Sequence, residues 1–260
     1  MKKEPETRQY RTFTDDFIEA KDQDYAIPEG YKWVRTSLGA RIASALLYGA
    51  AAVFSSVYCR LCLHMHIENA QVLRQARQSG AFIYANHTQP LGDVFIPALA
   101  ALPRRVYVVV SPANLSIPVI GRLLPYLGAL PLPDDLAAYK NFIKAVDRRI
   151  AEGHAVGIYP EAHIWPYYTK IRPFKDDSFH YPVRLGAPVF CFTNTYQKRK
   201  RGKKPKIVTY VDGPFFADES VPARERKTEL RNRVYDCMVE RSKNSNLILI
   251  EYKKKGEKDG

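Results

Sequence analysis

Apolar runs alternate with segments of helical pattern along most of the chain. Mostly apolar stretches at 81–85, 105–110 and 155–159 are typical of buried strands. Helices are predicted between them, from an apolar segment at 94–101 and from a segment at 136–150 that repeats apolar residues every three to four positions. Strands that alternate with helices build parallel sheets. The pattern therefore predicts an α/β fold, with a mostly parallel mixed sheet flanked by helices.

The rest of the pattern extends this one domain. It predicts a short helix at 117–124, paired strands at 190–192 and 207–211, a last amphipathic helix at 221–241 and a terminal strand at 247–250. No internal repeat and no linker rich in Pro, Gly or Ser divides the chain. We divide it into a polar arm (1–30), an apolar helical segment (31–63), the α/β domain (64–252) and a basic tail (253–260).

An uncharged apolar segment covers residues 42–59, between Arg41 and Arg60. As a helix it is about 27 Å long, slightly less than the ~30 Å hydrocarbon core of a bilayer. Its many Ala, Ser and Gly residues make its insertion energy marginal. Three interpretations remain open. The helix lies in the membrane interface, crosses the bilayer once, or is a buried helix of a soluble domain. Lys32 and Trp33 precede the segment and suit contact with lipid head groups.

The chain carries a formal net charge of +13 over 260 residues. This charge indicates an anionic partner, such as a lipid surface, an acidic substrate or nucleic acid. Seven of the ten residues at 197–206 are cationic, which is too dense for a packed element. The segment is a solvated hairpin loop, an anchor on an anionic membrane surface or a nucleic-acid contact. It has no interleaved aromatic residues for stacking on bases, so we predict no specific nucleic-acid partner.

The cysteines give no ground for disulfides or for a metal site. There are four, and the first 30 residues are charged and lack the apolar core of a secretory signal, so reduced thiols are expected. Cys59, Cys62, His64 and His66 resemble a metal-ligand run, but no second pair with matching spacing follows. Packing at a helix end is the preferred interpretation, and no metal is predicted.

The best candidate for chemistry follows the first predicted strand. There the chain turns through Asn86 and His87, and Asp93 is the expected N-cap of the next helix. Open α/β sheets bind ligands at the carboxyl ends of their strands, so both side chains can face one crevice. An imidazole suits proton transfer near neutrality, and a carboxylate on its far nitrogen would fix its tautomer. The alternative is a turn histidine beside a helix cap, without a chemical role.

Asn86-His87 followed by Asp93 resembles the NH-x4-D motif of the glycerolipid acyltransferase family, the lysophosphatidate acyltransferases and their relatives. In this chain five residues, not four, separate His87 from Asp93. Later segments resemble the family's other blocks, in the same order, across residues 64–195.

Those blocks differ from the family pattern at the arginines. The segment 159–161 matches the start of the third block, usually Phe/Tyr-Pro-Glu-Gly-Thr-Arg, and 162–164 reads Ala-His-Ile in place of the last three residues. In the second block, Pro and Asp at 133–134 stand where an arginine is expected. Segments 172–175 and 185–190 resemble the family's Pro-Phe-Lys segment and its fourth block, Gly-x-Pro followed by apolar residues.

The resemblance implies an activity and a set of roles. A fatty acyl chain would pass from acyl-CoA or acyl carrier protein to a hydroxyl of a lysophospholipid, by default lysophosphatidic acid, with no bound cofactor. His87 would take the proton of the hydroxyl, and Asp93 would orient the ring. Glu161, with Arg172 or Lys175, would hold the polar head of the acceptor. The enzyme would work at the cytoplasmic face of the membrane, as a peripheral or monotopic protein on an anionic surface.

Other functions remain open at this point. The missing arginines leave room for an acceptor that lacks a phosphate. A catalytically silent membrane- or lipid-binding protein of the same fold would keep the apolar helix and the basic loop, and would bind acyl thioesters or lysolipids without turnover. The net charge of +13 also permits nonspecific attraction to nucleic acid, which would fail at about 200 mM salt.

Overall fold

The computed structural model describes residues 5–18, 22–202 and 204–256. The strands in this part are β1 (Glu6–Tyr10), β2 (His66–Glu68), β3 (Ala81–Ala85), β4 (Val106–Val110), β5 (Ala129–Pro131), β6 (Ala155–Ile158), β7 (Val189–Gln197), β8 (Lys206–Phe215) and β9 (Ile250–Lys254). The helices are α1 (Leu38–Leu61), α2 (Gly92–Ala101), α3 (Ile120–Leu127), α4 (Leu136–Ala151), α5 (His180–Leu185) and α6 (Arg226–Ser242). Short 3-10 segments lie at Ala70–Ala76, Pro112–Ser116 and Asp177–Phe179.

Seven of these strands form one sheet, in the order β2-β8-β7-β3-β6-β4-β5. All neighbouring strands in it run parallel except β7 and β8, which form an antiparallel hairpin. The predicted α/β fold with a mostly parallel mixed sheet is confirmed. Strand β3 lies at the centre and is buried along its whole length. This position explains why its sequence is an unbroken apolar run rather than an alternating one.

The hydrophobic core lies on both faces of the sheet, because successive side chains of a strand point to opposite faces. Phe82 and Tyr84 of β3 enter one cluster, which is completed by residues of α4 and α6 such as Val234. Ile83 of β3 enters the other cluster, together with Ile96 of α2. Helix α2 therefore covers one face of the sheet, and α4 and α6 cover the opposite face.

Helix α1 lies on the α2 side and packs against α2 and α3. Near its middle, the hydroxyl of Tyr48 accepts a hydrogen bond from the backbone N–H of Val106 at the start of β4, at 3.1 Å. Nearer its end, the ring of Tyr58 contacts the ring of Phe95 in the first turn of α2, with 6.1 Å between centroids. Because Val106 begins its strand and α2 starts just after the end of β3, α1 runs from the amino edge of the sheet towards its carboxyl edge.

The outer face of α1 carries an apolar stripe. Its exposed large apolar side chains are Leu38, Ile42, Leu46, Val53, Phe54, Val57 and Leu61. In the described part of the chain, α1 is the one helix long and apolar enough to cross a membrane, and only 11% of its most apolar window is buried. A core helix of a soluble domain would be mostly buried, so this exposure argues against the buried-helix interpretation.

The segment before α1 differs from the expectation for Trp33. This side chain does not face lipid head groups but is buried, and its Nε1–H donates a hydrogen bond to the backbone oxygen of Pro131 at 2.9 Å. Its ring also contacts Tyr31 edge-on. An indole is stable when its apolar body is buried and its N–H has an acceptor. Trp33 therefore attaches the segment before α1 to the edge strand β5.

The two ends of the chain form a second sheet, in which β1 and β9 pair in parallel. The terminal strand predicted at 247–250 lies at Ile250–Lys254, so the predicted start of the basic tail falls inside β9. Strand β1 lies inside the predicted polar arm. Both strands are short and charged, and each is stabilised by a partner far away in sequence, which a local pattern does not record. Residues 1–4 and 19–21 of the arm, residue 203 of the basic loop and residues 257–260 of the tail lie outside the described residues.

Candidate active site

The turn after β3 is attached to the neighbouring strand β7. The side chain of Asn86 pairs with the backbone of Asn194, where Oδ1 accepts from the N–H at 2.8 Å and Nδ2 donates to the carbonyl oxygen at 3.1 Å. Only a side chain that carries both a donor and an acceptor can make this pair of bonds. The next residue, His87, therefore starts from a fixed position at the carboxyl edge of the sheet.

His87 and Asp93 contact each other across this turn, with 2.8 Å between Nδ1 and Oδ2. The side chain of His87 is 18% exposed and that of Asp93 is 1% exposed. The expected N-cap position is wrong, because α2 begins at Gly92 and Asp93 is its second residue. A Cβ on Gly92 would lie 3.1 Å from both Gln89 Cβ and Leu63 Cδ1. Because Gly92 has no side chain, the turn can pack closely here, and His87 and Asp93 meet although five residues separate them instead of four.

The carboxylate of Asp93 is buried and surrounded by donors. Besides His87, the backbone N–H of Gln89 donates to Oδ2 and the side-chain amide of Asn194 donates to Oδ1, each at 2.9 Å. Burial raises the pKa of Asp93 above its ordinary value, while the bonds from His87 and Gln89 act in the opposite direction. The ring of His87 is therefore held through Nδ1, and Nε2 has no protein partner within the described residues.

Tyr159, at the end of β6, holds the ring of His87 from the side. The two rings stack with 4.4 Å between their centroids and 26° between their planes. The hydroxyl of Tyr159 donates a hydrogen bond to the backbone oxygen of Asp93. Burial, followed by the charge of Asp93, raises the pKa of Tyr159 well above its ordinary value, so the phenol stays protonated as a donor. Tyr159 positions both members of the pair.

Glu161 lies beneath the turn rather than in an open crevice. Its Oε2 accepts hydrogen bonds from the backbone N–H of His87 and from Nη2 of Arg172, both at 3.1 Å, and its Oε1 accepts from the backbone N–H of Arg172 at 2.8 Å. The side chains of Arg172 and Glu161 are 1% and 0% exposed. The structure places these two charged side chains against each other and away from solvent, and their predicted contact with an acceptor stays a prediction.

Arg172 also connects the loop after β6 to the N-terminal arm. Its guanidinium lies over the ring of Trp165, 4.9 Å from the centroid, and its Nη1 donates to the backbone oxygen of Phe13 at 3.1 Å. The backbone N–H of Trp165 donates to the backbone oxygen of His87 at 3.0 Å. The indole N–H of Trp165 donates to the backbone oxygen of Asp15 at 2.7 Å. The arm, this loop and the turn that bears His87 therefore form one packed unit.

Lys175 differs from the other two predicted acceptor-binding residues. Its side chain is exposed, and it forms no ion pair within the part of the chain that the structure describes. Of the three predicted side chains, it alone keeps a charge that a ligand in solvent can reach.

The loop after β6 contains an unusual backbone conformation. Ala162 has φ +64° and Tyr167 has φ +58°, which is the left-handed region that favours glycine. Ala162 stands where related sequences have the glycine of the third block. A glycine adopts this left-handed conformation easily, and this chain keeps the conformation with an alanine at the same position.

Sequence reasoning missed two residues that hold the pair in place, Tyr159 and Asn194. Tyr159 was matched to the third block without a role. Asn194 lies in a polar triplet, Thr-Asn-Thr at 193–195, inside an otherwise buried strand. Three polar residues in a buried strand are a signal, because each needs a partner. The hydroxyl of Thr209 supplies one, since it donates to Oδ1 of Asn194 at 2.6 Å.

One group of side chains in the described part of the chain has metal-ligand spacing. Cys191, Asp212 and Cys237 place one ligand atom each within 4.8 Å of one another. Both oxygens of Asp212 already accept hydrogen bonds from Arg241, at 2.8 and 2.6 Å. The arginine neutralises the carboxylate and leaves two thiols, which is a poor ligand set for a cation.

Comparisons with known proteins agree with this geometry. A family model described as Acyltransferase matches residues 64–193. Among solved structures, the 1-acyl-sn-glycerophosphate (LPA) acyltransferase PlsC from Thermotoga maritima matches with a TM-score of 0.53 and 16% sequence identity, over 80% of this chain and 96% of that chain. At this identity the likeness shows a shared fold. No curated protein sequence gave a significant match. The family model covers half of the chain and includes the turn with His87 and Asp93, so the protein belongs to the acyltransferase family, as the resemblance to the glycerolipid acyltransferases predicted.

Proposed function

We propose that this acyltransferase moves a fatty acyl chain from an acyl thioester, acyl-CoA or acyl carrier protein, to a hydroxyl of a lysophospholipid at a membrane surface. The observation that carries the proposal is the 2.8 Å contact between Nδ1 of His87 and Oδ2 of Asp93. This contact leaves Nε2 of a partly exposed ring as a proton acceptor at the carboxyl edge of the sheet.

In the proposed reaction, Nε2 of His87 takes the proton of the acceptor hydroxyl while the oxygen attacks the acyl carbonyl carbon. The tetrahedral intermediate then breaks its carbon–sulfur bond, and the leaving thiolate takes the proton back from the imidazolium. The products are an ester and a free thiol. Asp93 holds the ring in the required tautomer and stabilises its positive charge. General base catalysis of this kind contributes about 10²- to 10⁴-fold.

Glu161 and Arg172 enter the proposal as positioning residues. Their buried pair fixes the backbone N–H of His87 and the loop beside it, and this supports a positioning role. Lys175 is proposed to attract the polar head of the acceptor, because its charge is exposed.

The apolar stripe of α1 supports action at a membrane. The exposed surface continues onto the start of α2 through Leu91 and Val94, which are 59% and 57% exposed. Leu91 lies in the turn between His87 and Asp93, so the site opens beside this apolar surface. Because α1 packs along α2 and α3, we propose that it lies in the interface and does not span the bilayer. The protein would then be peripheral or monotopic, at the cytoplasmic face.

The basic loop at 197–206 lies near the C-terminal end of α1, which is also the end that contacts α2. Soon after α1 the chain enters β2, which pairs with β8 so that His66 lies opposite Val208. The end of the loop at Lys206, where β8 begins, is therefore close to the end of the helix. Each Lys or Arg near an anionic leaflet contributes about 1 kcal/mol of attraction. An apolar stripe with a basic loop at its end fits an anionic lipid surface.

The test of the activity is transfer by the purified chain, with labelled acyl-CoA or acyl carrier protein as donor and lysophosphatidic acid as acceptor. His87→Ala should reduce transfer at least about 100-fold without lowering the melting temperature. The matched control is His180→Ala, because His180 lies in α5 and contacts the backbone of Asp177, outside the site.

Two outcomes would contradict the proposal. Full activity of His87→Ala would remove the histidine from the reaction. A wild-type chain that binds vesicles but consumes neither thioester would favour a catalytically silent lipid-binding protein.

A second candidate is the same reaction with an acceptor that lacks a phosphate. The family arginines are absent at 133–134 and 164, and Arg172 is buried against Glu161. Rates with lysophosphatidic acid and with monoacylglycerol separate the two candidates. If the phosphate is recognised through Lys175, Lys175→Gln should raise KM for lysophosphatidic acid and leave KM for monoacylglycerol unchanged.

A further inference from the structure

A polar cavity lies at the opposite edge of the sheet from His87. Its volume is about 610 Å³, and it is bounded by the segment before α1, the first turns of α1, the start of β4 and the ends of α3 and α4. Arg105 directly precedes β4, and Arg149 precedes β6, so the cavity lies at the amino ends of these strands. Strands of four to five residues separate it from the carboxyl edge by about 15 Å. The cavity is therefore distinct from the site around His87.

The lining of this cavity is strongly cationic. It contains five arginines, Arg35, Arg41, Arg105, Arg148 and Arg149, and one carboxylate, Glu152, among the residues that the structure describes. Glu152 accepts hydrogen bonds from Arg148 at 2.8 Å and from Arg149 at 2.7 Å. One carboxylate neutralises one of the five charges. The cavity keeps a large positive excess, which attracts anions.

Aromatic rings hold the inner arginines in place. The guanidinium of Arg105 lies 4.6 Å from the ring centroid of Tyr48 and 5.0 Å from that of Tyr107, and the guanidinium of Arg149 lies 4.3 Å from that of Tyr107. The hydroxyl of Ser44 accepts one hydrogen bond from Arg105, at 2.7 Å. Arg105 is thus fixed by contacts that do not neutralise its charge, whereas Arg149 also pairs with Glu152.

The charges of Arg105 and Arg149 are close together, because both guanidinium groups lie over the ring of Tyr107. Their Nε atoms are buried and have no acceptor within the described residues. Burial lowers the pKa of Arg105 from its ordinary value, and the nearby charge of Arg149 adds to this effect. Two like charges held close together cost free energy, which an anion bound between them would offset.

We infer that this cavity binds the phosphate group of an anionic ligand. Guanidinium groups match phosphate oxygens with paired hydrogen bonds, and the volume lies in the range of ligand sites larger than a bare phosphate. The exposed side chains of Leu38 and Ile42 lie in the same turns of α1 as Arg41. A lipid head group in the cavity would place its acyl chains along that stripe, and a soluble phosphorylated compound is the other source of the same chemistry. The inference does not rest on the proposed acyl transfer.

The probe is inorganic phosphate, titrated calorimetrically into the full chain at constant ionic strength so that general screening does not change. The wild-type chain should bind it saturably. The double variant Arg41→Gln/Arg148→Gln changes two exposed lining residues and should weaken binding about tenfold or more. The matched control is Lys140→Gln/Lys144→Gln, which removes the same charge from exposed positions of α4 outside the cavity and away from the proposed membrane surface. It should bind phosphate within about twofold of wild type.

Vesicles of phosphatidylcholine with and without phosphatidic acid identify the source of the phosphate. If phosphatidic acid vesicles displace phosphate, and bind the lining variant more weakly than the control variant, the ligand is a lipid head group. If phosphate binding depends on the lining arginines but vesicle binding is equal in both variants, the ligand is a soluble phosphorylated compound. Absence of saturable phosphate binding to the wild-type chain, or equal weakening in the two double variants, would overturn the inference. His87→Ala should bind phosphate as the wild-type chain does, so the phosphate measurement and the acyl-transfer measurement can fail independently of each other.

Discussion

Asp93 decides which nitrogen of His87 carries the proton. Its Oδ1 is taken by the amide of Asn194 and its Oδ2 by the backbone N–H of Gln89 and by Nδ1 of His87. An acceptor-only carboxylate requires that Nδ1 carry the proton, which leaves Nε2 with its lone pair. The proposed reaction needs this tautomer, because Nε2 must accept the proton of the hydroxyl.

Replacement of Asp93 by asparagine tests this assignment of tautomer. Asp93→Asn would lose the charge that stabilises the imidazolium, and its amide nitrogen would face a donor in either orientation, at Nδ1 of His87 and the N–H of Gln89 or at the amide of Asn194. We expect acyl transfer to fall about 10²- to 10⁴-fold, measured as kcat/KM, while the far-UV circular dichroism spectrum stays unchanged. The exposed Asp177→Asn is the control and should keep wild-type activity. Near-normal turnover by Asp93→Asn would show that the carboxylate does not set the ring state.

The backbone of Ala162 is strained, because an alanine here adopts the left-handed conformation. A side chain with φ +64° costs about 1–2 kcal/mol relative to the right-handed region, and glycine avoids most of this cost. Ala162→Gly should therefore stabilise the protein by about 0.5–1 kcal/mol in urea denaturation, with no loss of transfer. Ala137→Gly is the control, because Ala137 is exposed in α4 and glycine there should destabilise by up to about 1 kcal/mol. A lower stability of Ala162→Gly would mean that the left-handed conformation is not strained.

At the residue scale, the sequence located the chemical pair but not its supports. His87 and Asp93 were predicted because both lie in one short turn, and local spacing limits how far apart they can be. The burial of Glu161 and Arg172 as a pair was not foreseen, because it depends on packing over a long range. Asn194 reaches Asp93 from a strand 101 positions away along the chain, and no local pattern connects them.

At the scale of elements, the loop between β6 and α5 depends on the N-terminal arm. Trp165 of this loop is fully buried, and the rings of Phe13 and Phe17 contact it with centroid distances of 6.0 and 5.3 Å. Because the same loop carries Glu161, which holds the backbone of His87, order in the arm supports order at the site.

Removal of the two rings of the arm tests this dependence. The double variant Phe13→Ala/Phe17→Ala loses aromatic contacts worth about 0.5–1.5 kcal/mol each. We expect faster amide hydrogen exchange at residues 161–172 and a decrease in transfer, with little change in exchange at β3. Phe216→Ala removes a ring that is 51% exposed on the β8 side and should change neither quantity. Unchanged exchange in the loop would show that the arm is not needed for its order.

Elements with buried partners were predicted better than elements at the edges. The central strands β3, β4 and β6 were placed to within about one residue, because burial on both faces imposes an apolar run. Strand β1 was not predicted, and β9 was predicted three to four residues too early, because their charged residues gain stability only from each other across the chain. Helix α1 was predicted from its composition, but only the structure shows that one side of it packs and the other is exposed.

At the scale of the whole molecule, the apolar stripe and the basic loop lie on the same side. Helices α1 and α2 cover one face of the sheet, α1 carries the exposed apolar stripe, and the basic loop lies near the end of α1. Helices α4 and α6 cover the other face. A net charge of +13 spread evenly would attract any polyanion, whereas this arrangement favours a flat anionic surface beside apolar residues.

Binding to anionic vesicles should therefore depend on where the positive charge is removed rather than on how much. The variant Lys198→Gln/Lys200→Gln/Arg201→Gln removes three exposed cations of the basic loop. At about 1 kcal/mol each, their loss should weaken binding to vesicles that contain phosphatidylglycerol about 100-fold at low salt, measured by cosedimentation. The control Lys140→Gln/Lys144→Gln/Arg224→Gln removes the same charge from exposed positions of α4 and of the segment before α6, on the opposite face, and should weaken binding far less. The difference between the variants should shrink as salt rises, because screening shortens the reach of these charges. Equal weakening in both would mean that net charge alone attracts the protein, and the proposed orientation on the membrane would be wrong.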